Sequence, residues 1–453
     1  MTTRRDFLRL AALAGAGAAL GGAACTSEAG NDPAAAKTTT GARETLRIAQ
    51  WGHFVPAYDT WFDSDFARSW GNDHDVEVIV DHIPFAEISP RGDAEAAAGF
   101  GHDIYGFVDS PASHEDKVID HREIVEEVQA KVGPMTPLAE RSTHNPKTGK
   151  YFGFCDSWVA NAAQYRADLW DGVEPGLRPA TWDDVLEAGP GLKTEGHPLG
   201  IGYSEDPDSS YSLLSLMHAF GASIQDEAGQ VVINRPATVD AVRFGTELFR
   251  AGLTDEVFAW DAYSNNRHLT SGRGSMIVNA ISAIRAAEKE NRELARSILV
   301  GPAPAGPTGP DQPRGVYITH IYAVWSFSTQ QELAKQFLVD LALGYREPFL
   351  RSEFYNLPAF PGSVPDLADL VGKDDHSEPS DKYALLAGAN RWSTNLGHPG
   401  SSNAAVTETF SQDVVSRMFA VAARGELTAE EAVTAAEAQV VPIFDRWRER
   451  GKI

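Results

Sequence analysis

The sequence predicts an α/β protein of two lobes, each a mostly parallel sheet flanked by helices. Strand-like and helix-like patterns alternate along the chain, which is typical of α/β folds. The chain has 453 residues, and 43% of them are apolar, so it is longer than one compact domain usually is. Its 13 histidines are scattered, with no pair at metal-ligand spacing, and we expect neither a resident metal nor a cofactor.

Residues 1–24 have the pattern of a signal peptide. Arg4 and Arg5 precede an uncharged run of Leu, Ala and Gly from Leu10 to Ala24, which is too short to span a bilayer comfortably. The paired arginines, followed by Phe and Leu, resemble the twin-arginine signal of proteins that are exported already folded. An N-terminal helix with chance arginines is the alternative interpretation.

Cys25 follows two alanines, as in the lipobox of bacterial lipoproteins, where the cysteine is acylated and becomes the first residue of the mature chain. Gly22 stands where lipoboxes prefer leucine. We predict lipidation at Cys25 and attachment to the outer face of the cell membrane, with residues 25–43 as a flexible tether. Cys155 then has no disulfide partner, and a bridge between the two cysteines is the alternative.

Three strand-like runs open the body, at residues 46–49, 76–80 and 103–107. Helix-like patterns lie between them, at Tyr58–Trp70 and Glu87–Gly99. This βαβαβ order predicts a parallel sheet with right-handed crossovers.

Two later helices carry start signals. Thr181 is predicted to cap a helix whose first turn is acidic. Thr428, with Glu431 three residues later, predicts a capping box for the last helix.

The charge and the motifs narrow the function. The formal net charge is −24, and the predicted leader carries three arginines and one aspartate, so the remaining chain is more acidic still. Such a surface repels nucleic acid and anionic headgroups, and we expect no nucleic-acid partner. No G-x-S-x-G, H-E-x-x-H, P-loop or glycine fingerprint is present. We therefore expect no catalysis; a secreted carbohydrate-active enzyme with paired carboxylates is the alternative.

Short segments of the body follow one another in a characteristic order. Gln50–His53 follows the first strand, Gly101–Ile104 opens the third, Leu269–Met276 leads into a later strand, and Gly425–Ala432 opens the last helix. Together with the lipoprotein signal, this ordered set resembles the family 1 extracellular solute-binding proteins, which include the maltose-binding receptors. The resemblance covers the body from residue 44 onward, although no single segment is specific.

The resemblance implies a two-lobed periplasmic-binding-protein fold of type II. Its N-terminal lobe would comprise residues 44–156 and 324–360, and its C-terminal lobe residues 157–323 and 361–453. Crossing hinge strands would join the lobes, which close over the ligand by hinge bending. The implied function is a monomeric receptor of an ABC importer that captures a sugar, oligosaccharide or polyol and delivers it to the importer's membrane subunits.

Candidate ligand contacts are aromatic and polar residues near predicted strand ends, crossovers and loops. A sugar presents apolar C–H faces and hydroxyl edges, so its pocket needs aromatic platforms beside carboxylates and amides. Open α/β sheets bind ligands at the carboxyl ends of their strands. For each candidate, a place in the core or at a helix cap is the alternative. The candidates are Trp51, His53, Asp109, Ser110, Asp156, Trp158, Trp260, Asp261, Tyr263, Asn279, Tyr317, Thr319 and Trp392.

Three other tryptophans, Trp170, Trp182 and Trp447, have core spacing on predicted helices, and we expect them in the core.

A receptor of the same fold for a polyamine or a metal ion is the alternative function. A ferric site would need clustered tyrosine, histidine and carboxylate, and an amine would need an aromatic cage with acids. The cleft would discriminate between them. Two or more aromatic faces with mixed Asp, Asn and Arg would favour a sugar, whereas several carboxylates without a basic residue would favour an amine.

Overall fold

The first of three sheets gathers the strands that the sequence predicts at the start of the body. In the computed structural model, which describes residues 43–453, its strand order is β10-β4-β9-β3-β1-β2. The strands of the described residues are β1 Glu44–Trp51, β2 Val76–Ile83, β3 Ile104–Phe107, β4 Phe154–Trp158, β5 Ala162–Arg166, β6 Met276–Asn279, β7 Ile298–Gly301, β8 Gly315–Val316, β9 Thr319–Val324, β10 Leu357–Pro358 and β11 Ser393–Thr394. The predicted leader, Cys25 and the tether up to residue 42 lie outside the described residues.

Helices cover the sheets. Two short helices and a π-helical turn at Phe62–Ala67 between them occupy the predicted Tyr58–Trp70 segment. The α-helices are α1 Pro56–Trp61, α2 Arg68–Asp73, α3 Ile88–Ala98, α4 Arg122–Val132, α5 Pro137–Thr143, α6 Ala167–Val173, α7 Trp182–Thr194, α8 Pro207–Ala219, α9 Pro236–Gly252, α10 Ser264–Thr270, α11 Ser282–Glu290, α12 Arg292–Ser297, α13 Gln331–Leu343, α14 Arg346–Arg351, α15 Leu367–Gly372, α16 Ala404–Ser411, α17 Val414–Ala423 and α18 Ala429–Glu449.

The predicted capping signals are confirmed. Thr181 and Asp184 form a capping box at the start of α7, and Thr428 and Glu431 form one at the start of α18. Each threonine hydroxyl accepts a hydrogen bond from the N3 amide, while the N3 carboxylate accepts one from the threonine amide, so two otherwise unpaired N–H groups are satisfied.

The sheets mix parallel and antiparallel pairs. As predicted, β1 is parallel to β2 and to β3. The crossing strand β4 leads to the second lobe and β9 returns from it, so the two run antiparallel to each other, and β9 is antiparallel to β3. The sheet of the second lobe, β6-β5-β7, is antiparallel throughout, and β8 pairs with β11 in a small parallel sheet.

The chain passes between the lobes at two short segments. β4 ends at Trp158 in the first sheet and β5 begins at Ala162 in the second. In the opposite direction, β8 ends at Val316 and β9 begins at Thr319. The crossings at residues 159–161 and 317–318 therefore lie side by side.

The buried residues of the first sheet show where it contacts the second lobe. In the first half of β1 only Leu46 is buried, whereas its last four residues, up to Trp51, are all buried. One buried cluster fills the outer face of the first sheet, around Ile48, Phe62 and Phe337. A second buried cluster contains both Trp51 of the first lobe and Trp182 of the second lobe. The two lobes therefore share buried contacts at the carboxyl end of β1.

The three tryptophans expected in the core, Trp170, Trp182 and Trp447, are buried. In residues 43–453, no helix combines the length and the apolar character needed to cross a membrane.

Candidate functional site

The carboxyl end of β1 carries the first two candidate residues. Trp51 is 2% exposed, and its ring centroid lies 4.8 Å from that of His53 and 6.3 Å from that of His320. Phe54 and Phe85 pack against the same indole, at 5.2 and 5.9 Å. The end of the first strand therefore presents a buried aromatic wall.

His53 is held as a neutral imidazole. Burial lowers its pKa to about 3, although the hydrogen bond with Asn356 acts in the opposite direction. The Val55 amide donates to Nδ1 at 2.9 Å, so the proton belongs on Nε2, which donates to Asn356 Oδ1 at 3.1 Å. The side-chain N–H₂ of Asn356 is buried and has no partner within the described chain.

A β-bulge in the crossing strand β4 positions Asp156. The pairing with β9 shifts register between Cys155 and Ser157, and bulges commonly re-aim a side chain beside a site. Asp156 Oδ1 accepts a hydrogen bond from the Ser157 hydroxyl at 3.0 Å and lies 3.2 Å from His320 Nδ1. Asp156 Oδ2 and His320 Nε2 are buried without a partner among residues 43–453.

Trp158 ends the same strand. It pairs with Thr319 of β9 and with Leu357 of β10. Its indole N–H is buried and unpartnered in the described structure. A Cβ atom on Gly106 of β3 would lie 3.2 Å from His320 Nε2, so the glycine leaves the imidazole its place beside these groups.

Tyr355 lies at the cleft because of a turn that no sequence signal predicts. Glu353 and Phe354 both have left-handed backbone, with φ of 54° and 70°, which is uncommon outside glycine and is often found at ligand clamps. The turn places the Tyr355 ring 5.0 Å from His53 and 6.4 Å from Trp51. Its hydroxyl is buried and has no partner within residues 43–453.

The second lobe contributes a hydrogen-bonded cluster around Asp208, in the first turn of α8. Its carboxylate accepts hydrogen bonds from the Tyr317 hydroxyl at 2.8 Å and from the side-chain amides of Asn265 and Asn279, each at 3.0 Å. Burial, followed by the nearby Asp206, raises the pKa of Asp208 to about 7, although the three hydrogen bonds lower it. Neutral donors therefore satisfy this carboxylate.

Tyr211 and Tyr355 show that the two lobes meet here. The Tyr211 ring lies 4.9 Å from that of Tyr317. Burial raises the pKa of Tyr211, and Asp109 of the first lobe and Asp208 of the second raise it further. Burial also raises the pKa of Tyr355, and Asp208 adds to the shift. Groups from both lobes are thus close enough to interact electrostatically across one cleft.

Asp109 and Ser110 line a cavity of about 190 Å³ beside this cleft, between the end of β3 and the helices α16 and α18. Thr407 and Trp447 line it from the second lobe. Burial and the nearby Asp93 raise the pKa of Asp109 to about 7. The Ser110 hydroxyl is buried and unpartnered in the part of the chain that is described. Trp447 is therefore both a core residue, as expected, and a wall of this cavity.

Trp260, Asp261 and Tyr263 share one loop but differ in their contacts. The half-buried Trp260 packs on His268 at 5.1 Å. The Asp261 carboxylate accepts hydrogen bonds from the Tyr263 amide at 3.0 Å and from Arg267 at 2.9 Å. Tyr263 is 47% exposed, and its ring lies 5.6 Å from that of Phe54 in the first lobe.

Trp392 packs against the start of β8. Its backbone carbonyl accepts hydrogen bonds from the amides of Arg314 and Gly315, at 2.9 and 2.8 Å. A Cβ atom on Gly315 would lie 3.1 Å from the indole, so the ring packs closely on β8. Contact of Trp392 with a ligand stays a prediction.

The structure brings most of the predicted residues to one region. Those at the cleft or on its adjoining cavity are Trp51, His53, Asp109, Ser110, Asp156, Trp158, Asn279, Tyr317 and Thr319. Sequence reasoning did not select Asp208, Tyr211, Tyr355 or Asn356. A helix-start signal, Asp206-Pro207, precedes Asp208, but it does not indicate that Asn265, Asn279 and Tyr317 donate to the carboxylate.

A larger cavity of about 540 Å³ lies between α11 and the end of α14. Its buried charges are paired, since Arg285 contacts Glu288 at 2.9 Å and Asp374 at 2.5 Å. None of the predicted site residues lines it. Among residues 43–453, no group of three or more His, Cys, Asp or Glu side chains is arranged to hold a metal ion.

Comparisons with solved structures show which proteins share this fold. A sugar transporter from Arthrobacter chlorophenolicus A6 with bound laminaribiose is 16% identical, with a TM-score of 0.72 over 88% of this chain and 99% of that chain. Maltose-bound MalE3 of T. maritima is 19% identical, with a TM-score of 0.71 over 87% and 98%. An ABC transporter solute-binding protein from Agrobacterium radiobacter K84 in complex with ribitol is 16% identical, with a TM-score of 0.70 over 88% and 98%. These likenesses confirm the predicted two-lobed periplasmic-binding-protein fold.

No curated protein matches the sequence. The sequence pattern described as bacterial extracellular solute-binding protein matches residues 73–342. That match spans more than half of the chain and includes the third strand, both crossings, and the Asp208 cluster. The chain therefore belongs to the bacterial extracellular solute-binding protein family.

Proposed function

We propose that this solute-binding protein takes a sugar, an oligosaccharide or a polyol into the cleft between its lobes. The observation that carries the proposal is the pairing of aromatic faces with free polar atoms. The rings of Trp51, Tyr211 and Tyr355 are buried at the cleft, where they would pack on apolar C–H groups of a ligand, and Asp156 Oδ2 and the Trp158 N–H are buried without partners in residues 43–453.

Free buried polar atoms favour a ligand rich in hydroxyl groups. Leaving a buried donor or acceptor unpaired costs about 1–3 kcal/mol, and a hydroxyl can both donate and accept. A polyhydroxylated ligand would therefore complete the hydrogen bonds of Asp156, Asn356 and Tyr355 at once. Exclusion of water from a closed cleft strengthens such bonds.

The ligands of structurally similar proteins support the same class. The three solved structures named above hold laminaribiose, maltose and ribitol. Two are disaccharides and one is a linear polyol, which share hydroxyl edges but differ in length and ring content. We expect this chain to bind one member of that class and to catalyse no reaction.

A cationic amine is the second candidate, because of the carboxylates. In residues 43–453, Asp109, Asp156 and Asp208 form no ion pair with arginine or lysine. Several carboxylates without a basic residue in the cleft would favour an amine, so this absence of arginine and lysine partners supports the second candidate. Three neutral donors already satisfy Asp208, however, and its raised pKa weakens its negative charge near neutrality.

A thermal-shift panel separates the two candidates. The purified protein is melted alone and with saturating maltose, laminaribiose, ribitol or spermidine. A ligand that binds only the native state raises the melting temperature by mass action. We expect a rise with at least one of the three carbohydrate probes. A rise with spermidine alone would replace the proposed ligand class by the amine, and no rise with any probe would contradict both.

We further propose how the receptor is placed. Residues 1–24 would direct export by the twin-arginine route, acylated Cys25 would anchor the protein to the outer face of the membrane, and residues 25–43 would tether the body. The closed receptor, a monomer, would then deliver its solute to the membrane subunits of an ABC importer. The lobes would hinge at residues 159–161 and 317–318; the latter crossing lies just before the sequence-based boundary at 323 and 324.

Anchoring has a direct test. Cys25→Ser removes the acylation site, so we expect the protein to move from the membrane fraction to the soluble fraction on cell fractionation. Cys155→Ser, at the buried cysteine of β4, is the matched control and should leave the fractionation unchanged. A Cys25→Ser protein that still pellets with membranes would contradict the lipid anchor.

A further inference from the structure

An aromatic pair joins the two lobes across the cleft. Phe54 follows β1 in the first lobe, and Tyr263 precedes α10, which packs on β6 of the second lobe. Their ring centroids are 5.6 Å apart, with an interplanar angle of 76°. Such an edge-to-face arrangement is the favourable geometry for two aromatic rings.

The second lobe holds Tyr263 in place for this contact. The Asp261 carboxylate accepts hydrogen bonds from the Tyr263 amide, from the Ser264 hydroxyl at 2.8 Å and from Arg267 at 2.9 Å. Trp260, just before Asp261, packs on His268. The loop is therefore braced at both of these residues, and the Tyr263 side chain is left to reach the other lobe.

The first lobe supports Phe54 in the same way. The Phe54 ring lies 5.2 Å from both Trp51 and Phe85. Exposure rises along this row of rings, from 2% at Trp51 to 47% at Tyr263. The pair therefore stands between the deep aromatic wall of the cleft and the solvent.

We propose that Phe54 and Tyr263 form an aromatic latch that holds the lobes together over the cleft and slows the release of its ligand. The ligand side of this inference rests on the proposed function, while the contact between the lobes does not. Opening the cleft separates the rings, and an edge-to-face pair shifts an equilibrium by roughly two- to tenfold. Since the pair lies on the solvent side of Trp51, parting of the rings would open a route for a ligand seated against that indole.

The test compares Tyr263→Ala with Tyr263→Phe and with Phe100→Ala. Tyr263→Phe keeps the ring, and Phe100 is an aromatic residue that is 73% exposed, outside the cleft. The radius of gyration of each ligand-free protein is measured by solution scattering. The release rate is measured by stopped-flow tryptophan fluorescence with whichever of maltose, laminaribiose, ribitol or spermidine raises the melting temperature of the unaltered protein.

We expect Tyr263→Ala to enlarge the ligand-free radius of gyration and to speed release by roughly two- to tenfold. Tyr263→Phe keeps the ring and should keep the unaltered radius of gyration, and Phe100→Ala should behave like the unaltered protein in both measurements. The melting temperature of each variant confirms that it is folded, and Phe54→Ala, from the other side of the pair, should reproduce the effect. If no probe binds, the proposed ligand class fails and scattering alone decides on the latch. Wild-type scattering together with an unchanged, or unmeasurable, release rate in Tyr263→Ala would overturn the latch.

Discussion

At the scale of single residues, a buried polar atom without a hydrogen-bond partner indicates a binding site only in some positions. Trp158 and Trp170 both have a buried indole N–H without a partner in the described structure. Trp170 lies on α6 and packs on Tyr165, 5.9 Å away, whereas Trp158 ends a crossing strand beside Asp156 and Thr319. An unpartnered donor alone therefore does not mark a binding site, and its position beside other free polar atoms does.

This difference predicts the outcome of one matched pair of substitutions. Trp158→Phe removes the N–H donor but keeps an aromatic ring, so we expect ligand affinity to fall by roughly fivefold to thirtyfold, the equivalent of one hydrogen bond of about 1–2 kcal/mol. Trp170→Phe makes the same change in the core of the second lobe and should leave affinity unchanged. Titration calorimetry gives the dissociation constants, and thermal melting gives the stability of each protein.

Both substitutions shrink a buried side chain and should cost comparable stability. A Trp158→Phe protein that melts like Trp170→Phe and binds as tightly as the unaltered protein would show that the Trp158 N–H is not used by the ligand. A loss of affinity in both variants would point instead to a general loosening of the fold.

At the scale of elements, what the sequence could predict depended on whether the signal was local. The strands at 46–49, 76–80 and 103–107 are confirmed because their apolar pattern is carried by neighbouring residues. The capping box at Thr428 is confirmed for the same reason, since two residues three positions apart, Thr428 and Glu431, form it. Local patterns of this kind are enough to place the end of β1, and hence the cleft residue Trp51.

The remaining cleft residues depend on packing between distant segments. Tyr355 reaches the cleft through two left-handed residues, Glu353 and Phe354, in a position where no glycine signals the turn. Asp208 looks like an ordinary first-turn acid of a helix, and its role depends on Asn265 and Asn279, which lie far along the chain. Such contacts are long-range, and no periodicity or motif encodes them.

For a related reason, local sequence patterns did not predict that the sheet of the second lobe is antiparallel. A strand that continues directly from a crossing, as β5 does after β4, takes its direction from the hinge and not from its own residues. Its neighbours β6 and β7 both run opposite to it. In the two larger sheets, only β1, β2 and β3 show the predicted parallel pairing.

At the scale of the whole molecule, the residues after α18 also join the two lobes. The helix packs against α9, α16 and α17 of the second lobe. Beyond its end, Lys452 Nζ lies 2.5 Å from Asp116 Oδ1 and 3.9 Å from Glu115 Oε2 in the first lobe. The Asn145 side-chain amide donates to the Lys452 carbonyl at 3.1 Å and to Glu115 at 2.8 Å. We expect hinge opening to break these contacts, because they join residues of the two lobes.

We therefore expect Lys452→Met to shift the protein towards the open form. The substitution keeps the apolar stem but removes the charge. The nearer partner, Asp116, is 75% exposed, whereas the more distant Glu115 is 3% exposed. Ion pairs near a surface contribute about 0–1 kcal/mol, so ligand affinity should fall by up to about fivefold. Solution scattering of the ligand-free protein should show a larger radius of gyration.

Lys131→Met is the matched control, because Lys131 pairs with Glu127 within a single helix, α4, at 2.7 Å. Losing that pair changes no contact between the lobes, so scattering and affinity should stay at their original values. Salt adds a second check, since screening weakens exposed charge pairs: the difference between Lys452→Met and the unaltered protein should shrink as ionic strength rises. Equal scattering and equal affinity for the two lysine variants at low salt would mean that the Lys452 contacts form when the lobes close but do not stabilise the closed form.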